Sequence, residues 1–156
     1  MTARRGSARR PPRRATARRA TVVVDASVAV QWFANEPGAA AAARLLERDD
    51  VLVAPDLMTV EAANAWRKKT RRLEMSRADL EHAVASLLAL DIEWVPTRGL
   101  AMLAARQALE IGHPVYDCLY LALAEAEGCE LVTADDQFAR GLRMSYPFIV
   151  SLVALP

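Results

Sequence analysis

Thr21-Val22-Val23-Val24-Asp25-Ala26-Ser27-Val28-Ala29-Val30-Gln31-Trp32-Phe33 is the stretch from which the fold is read. Its β-branched opening suits a short buried strand, and the apolar run after Asp25 suits a helix. Glu36-Pro37-Gly38 breaks that helix, Ala39 to Arg48 reads as a second one, and Val51 to Ala54 as a second strand closed by Pro55. Strand and helix alternate from the start.

The alternation continues to the C-terminus. Asp56 is expected to cap a helix running to the basic cluster Arg67-Lys68-Lys69-Thr70-Arg71-Arg72, and Ser76-x-x-Asp79 reads as a capping signal for a helix to Leu90. Ile92 to Val95 is a strand stopped by Pro96. Thr97 is expected to cap a helix ending near Gly112, Val115 to Glu127 is a helix stopped by Gly128, and Glu130 to Thr133 is a strand. Asp135 to Leu142 reads as a short helix and Phe148 to Val153 as a last strand. Strands joined through helices require right-handed crossovers, so the expected class is α/β, a three-layer α/β/α sandwich with a mainly parallel sheet.

Composition bounds the class. The chain has 156 residues, 53% of them hydrophobic, enough for one domain with a sizeable core. No apolar run approaches the roughly 18 residues of a membrane span. Two cysteines, Cys118 and Cys129, give no disulfide framework, which favours a reducing compartment and a cytoplasmic location. The net charge of +1 conceals an asymmetry: eight arginines and no acid lie in residues 1–20, leaving 12 basic and 19 acidic residues in 21–156. The arm should be disordered alone, with the folded domain expected over 21–156. A dispensable stretch set by the choice of start codon, an RNA-attracting tail and a targeting peptide all remain open for it.

Acids stand where ligands bind in such folds, beyond the carboxyl ends of parallel strands. Asp25 follows the first strand and Asp135 closely follows the fourth. Glu61 and Asp117 lie in helices among apolar neighbours, where an isolated charge is costly. Each also has a structural use, Asp25 and Asp135 as helix caps and Asp117 as an arginine partner, whereas Glu61 in mid-helix has no capping task. Gathered carboxylates repel one another unless a divalent cation joins them. Oxygen donors without Cys/His spacing select Mg²⁺ or Mn²⁺ over zinc, in a site suited to phosphodiester hydrolysis.

Thr21-Val-Val-Val-Asp25-Ala-Ser27-Val, Pro55-x-Leu57-x-x-x-Glu61-x-x-Asn64, Tyr116-Asp117-Cys-Leu-Tyr120-Leu-Ala-Leu-Ala124 and Leu131-Val-Thr133-Ala-Asp135-x-x-Phe138 together resemble the successive motifs of PIN-domain proteins, more narrowly the VapC-type toxins of toxin–antitoxin pairs. The resemblance covers residues 21–153. It implies a metal-dependent endoribonuclease, commonly dimeric, restrained by a cognate VapB-type antitoxin, and leaving a 5′-phosphate and a 3′-hydroxyl. Carried over by position, Asp25, Glu61, Asp117 and Asp135 would hold Mg²⁺ or Mn²⁺, with Ser27, Asn64 and Thr133 in support. Asp136 is not required by the pattern and is either solvated or an aid to a second ion. A structure-specific DNA nuclease and a catalytically silent RNA-binding module are the alternatives.

The basic cluster has two readings, a solvated helix end favourable to the dipole and a phosphate track in which Arg67, Lys68 and Lys69 bind RNA. His113 reads as a loop or capping residue rather than a base. Trp32, Trp66 and Trp94 read as core or interface anchors, and Tyr116 is the aromatic expected to line the site.

Overall fold

A computed structural model describes residues 19–155. Most of the arginine arm therefore lies outside the described residues. The elements run β1 (Thr21–Val24), α1 (Ala26–Trp32), α2 (Ala39–Glu47), β2 (Val51–Pro55), α3 (Met58–Arg71), α4 (Arg77–Ala89), β3 (Ile92–Val95), α5 (Thr97–Ile111), α6 (Val115–Glu127), β4 (Glu130–Thr133), α7 (Asp136–Leu142) and β5 (Ile149–Ser151), closed by a 3₁₀ turn. The five strands form one parallel sheet in the order β3-β2-β1-β4-β5. The fold is the expected three-layer α/β/α sandwich.

The order decides where a site can form. From β1 the chain steps outward through β2 to β3, then returns to the other side of β1 for β4 and β5. The switch point therefore falls between β1 and β4, where crevices open beyond the strand ends. The Asp25 N–H donates to the Val132 carbonyl at 3.0 Å, so the first acid is pinned at that point by the ladder itself.

Helix α6 lies on β1, β2 and β4, with α5 packed on α6. Its residues Cys118 through Ala124 are buried without a break, as the apolar middle of a helix between layers must be. Trp66 is fully buried and its indole N–H donates to the Val30 carbonyl at 3.2 Å, tying α3 to α1. Trp32 donates likewise to Ala42 at 2.9 Å, tying α1 to α2. Ser76 and Asp79 form a reciprocal capping box on α4, and Gly112 and Gly128 take the left-handed conformation that ends α5 and α6.

Three local expectations are corrected. Asp56 does not cap α3, whose first flanking residue is Leu57; its carboxylate instead accepts from the backbone N–H of Thr97 at 3.0 Å and from the Thr97 hydroxyl, closing the start of α5 from across the sheet. Thr97 is accordingly the first residue of α5 rather than its cap. The last strand is shorter than Phe148–Val153, because Leu152–Ala154 turns into the 3₁₀ segment.

Leu73, just past α3, has φ 62° and is 93% exposed. A side chain there is strained and packs against little, so Leu73→Gly is expected to stabilise the fold by about 1 kcal/mol. Thermal melts would register this as a raised midpoint. An unchanged or lowered midpoint would show that the turn carries no such strain.

Candidate metal centre and adjoining basic groove

Asp25, half-buried at the end of β1, is held by two hydroxyls. Ser27 Oγ and Thr133 Oγ1 each donate to Asp25 Oδ2 at 2.6 Å. Each hydroxyl in turn accepts a backbone N–H from the segment after β4: Ala134 N–H to Ser27 Oγ at 3.0 Å, and Asp135 N–H to Thr133 Oγ1 at 3.1 Å. With the single proton of each hydroxyl committed to Asp25, the 3.2 Å contact between Ser27 and Thr133 is one of packing. Burial pushes the Asp25 carboxyl above its ordinary range, and these donors oppose that shift.

Asp117 comes from the first turn of α6 and Asp135 from the cap of α7. Both line one small cavity with Asp25, Tyr120, Leu131 and Phe138. The Asp117 carboxyl is raised by burial and then by repulsion from Asp25, with His113 opposing and Asp135 adding. His113 also sets its ring edge-on to Phe138, 5.2 Å between centroids, so it shields the cavity wall as a loop residue. Asp135 Oδ1 accepts the Gln137 and Phe138 N–H groups at 2.9 Å, and its Oδ2 has no hydrogen bond among the described residues. Asp135 thus caps α7 through Oδ1 while lining the cavity.

Glu61, on α3, accepts a hydrogen bond from the buried Tyr120 hydroxyl. Burial pushes its carboxyl up to about 7; the Tyr120 bond opposes this, while the charges of Asp25 and Asp117 add to it. The Tyr120 hydroxyl is the contact to Glu61 that the sequence conceals, since an aromatic inside Leu119-Tyr120-Leu121 reads as core. That hydroxyl is itself far more reluctant to ionise than a free phenol, through burial and then the charges of Asp25 and Glu61, so it stays a donor.

A carboxyl whose folded pKa lies above its ordinary 4.5 binds its proton more tightly when folded. Its contribution to stability is full below about pH 4.5 and is lost as pH rises through about 7. In EDTA, wild type is therefore expected to lose stability relative to Glu61→Gln across that window, read by urea unfolding at successive pH values. Parallel curves for the two proteins would contradict the assignment.

The remaining expected residues divide. Asn64 is exposed, and its Oδ1 accepts from Arg67 Nε at 3.2 Å rather than meeting Glu61. Lys69 is bound to Glu36 and lies 3.8 Å from Glu74, so it belongs to the scaffold more than to a phosphate track. Lys68 and Arg72 have no ion pair among the described residues. They border a groove with Leu57, Glu61, Asn64 and Tyr116 that adjoins the acidic cavity through Glu61–Tyr120 and Tyr116–Asp117. Asp136 accepts from the Ser151 hydroxyl, a structural link from α7 to β5.

The donor set is one of hard oxygens, with carboxylates raised partly by each other's charge, and this fits a divalent cation such as Mg²⁺. Among the described residues no three acid, imidazole or thiol groups close into a ready-made cage.

Comparison with known proteins bears on the family and the fold. The family model for the PIN domain matches residues 22–141. The ribonuclease VapC12 of Mycobacterium tuberculosis is 34% identical over 119 residues, which span 76% of this chain and 90% of that protein. Among solved structures, PAE2754 from Pyrobaculum aerophilum superposes with a TM-score of 0.64 at 24% identity, covering 86% of this chain and 85% of the other. A toxin–antitoxin complex from Klebsiella pneumoniae contains a chain with a TM-score of 0.62 at 14% identity, covering 84% and 97%. These two structural likenesses speak to the fold alone.

Proposed function

The chain belongs to the PIN-domain family, and on that premise we propose that it is a divalent-metal-dependent endoribonuclease, the toxin of a VapBC-type toxin–antitoxin pair. The observation that carries the proposal is the approach of carboxylates from separate elements to the β1/β4 switch point: Asp25, Asp117 and Asp135 on one cavity, with Glu61 near enough to feel two of them. Each has a chemical task. Asp25, Asp117, Glu61 and Asp135 would hold Mg²⁺ or Mn²⁺; Ser27 and Thr133 favour the charged form of Asp25 against its burial and aim it; Tyr120 aims Glu61. When bound, the cation neutralises charge on the scissile phosphate and activates water for attack. Lys68 and Arg72 draw the RNA backbone toward a pocket that would otherwise repel it. Hydrolysis breaks the bond between phosphorus and the 3′ oxygen, leaving a 5′-phosphate and a 3′-hydroxyl.

The partners that accompany this function are RNA, a VapB-type antitoxin and a second copy of the chain, with the cytoplasm as its place of action. Among the described residues no helix is long and apolar enough to cross a membrane. Purified protein incubated with bacterial RNA is the test. Cleavage in Mg²⁺ that stops in EDTA and resumes with added Mg²⁺ or Mn²⁺ is expected, with 3′-hydroxyl ends. Cleavage that persists in EDTA, or its absence with both ions, would contradict the proposal.

A further inference from the structure

Asp135 is followed by a second acid, and neighbouring strands hold the two. The Asp135 N–H donates to Thr133 Oγ1 on β4 at 3.1 Å. Asp136, the first residue of α7, accepts at Oδ1 from the Ser151 hydroxyl on β5. Thr133 and Ser151 are themselves partners in the β4–β5 ladder. Two hydroxyls at one level of the sheet, on adjacent strands, therefore grip two consecutive residues at the start of one helix. Ser151 is a firm anchor, because Ile149 and Leu152 on either side of it are buried in the core.

The grip reaches the acidic cavity through Asp135. Asp135 lines that cavity with Asp25 and Asp117, whereas Asp136 and β5 do not. A helix of seven residues is too short to hold its own start by propensity, so tertiary contacts decide where the first turn of α7 lies. Asp135 caps that turn through Oδ1, so its carboxylate turns with the helix. We infer that Asp136 and Ser151 are positioning residues for the metal centre: their hydrogen bond locks the start of α7 onto β5 and so sets the direction of the Asp135 carboxylate. The inference rests on the metal-dependent reading and deepens it. The acid that the family pattern does not require gains a task other than holding a second ion, and the short edge strand β5 becomes a determinant of cation affinity.

Calorimetric titration of Mn²⁺ into the full chain without RNA tests this, at a temperature below the unfolding transition of every variant. Ser151→Ala removes the donor while every acid stays in place. It is expected to weaken Mn²⁺ binding about 10-fold, the low end for residues that orient a metal ligand. Ser151→Thr keeps the hydroxyl and should keep the affinity. Asp136→Ala should cost a factor similar to Ser151→Ala, and the two combined no more than either alone, since both cut one hydrogen bond. Unchanged affinity in Ser151→Ala, an equal loss in Ser151→Thr, or additive losses in the double variant would overturn the inference. So would a smaller number of bound ions in Asp136→Ala, which would make Asp136 a ligand. Cleavage of RNA by wild type is scored separately. Cleavage with Mn²⁺ binding indifferent to Ser151→Ala sinks this inference alone, Ser151-dependent binding without cleavage sinks the ribonuclease reading alone, and wild type that binds no Mn²⁺ sinks both.

Discussion

Asp25→Asn is expected to lower the RNA cleavage rate by more than about 10³-fold, beyond the 10- to 100-fold typical of residues that only orient a metal ligand. The amide keeps the shape of the carboxylate, and its oxygen still accepts from Ser27 and Thr133. What disappears is the charge at the switch point between β1 and β4. Removing one of several mutually repelling acids should leave the metal-free fold as stable or more so, since Asp25 raises the proton affinity of both Glu61 and Asp117. Initial rates and thermal melts on the same preparation separate the two effects. A rate within tenfold of wild type would mean that Asp25 only joins β1 to Ser27 and Thr133.

Tyr120→Phe carries the next largest effect. It removes one hydroxyl from a ring that otherwise stays packed in α6, and leaves Glu61 without its donor. Divalent-cation affinity is expected to fall about 10- to 100-fold, the cost of losing a partner that orients a ligand. Activity should return toward wild type as Mg²⁺ is raised, because the carboxylate itself remains. A titration of activity against Mg²⁺ with an unchanged midpoint would remove Tyr120 from the site. A fall in maximal rate that Mg²⁺ does not rescue would assign the hydroxyl a different task.

Local rules were enough wherever a signal and its effect lie close in the chain. Val115 to Glu127 is helical and stops at Gly128 as read, and Ser76 caps α4 through Asp79, three residues away. Long-range partners were hidden. Asp56 stands next to α3 in sequence and so resembles its cap, but Thr97, 41 residues on, takes its carboxylate because β2 and β3 are neighbours in the sheet. Lys69 sits in a basic run that reads as one surface, yet its partner Glu36 comes from the turn before α2.

The candidate site divides along the same line. Asp25 and Asp135 were visible as acids at strand ends. That they share a cavity depends on β4 returning beside β1, a strand order periodicity does not reveal. The support roles of Ser27 and Thr133 came through family resemblance, and the hydrogen bonds now give a reason: both hydroxyls end on one oxygen of Asp25. Tyr120 stayed unread because its hydroxyl acts on Glu61, 59 residues away.

The central claim is that these carboxylates share a divalent cation. Crystals of the chain soaked in Mn²⁺ and measured for anomalous scattering test it most directly. A peak between Asp25 and Asp117, at metal-to-oxygen distances of about 2.2 Å, is the predicted result. A saturating soak with no peak in that cavity, or with manganese bound only elsewhere, would contradict it.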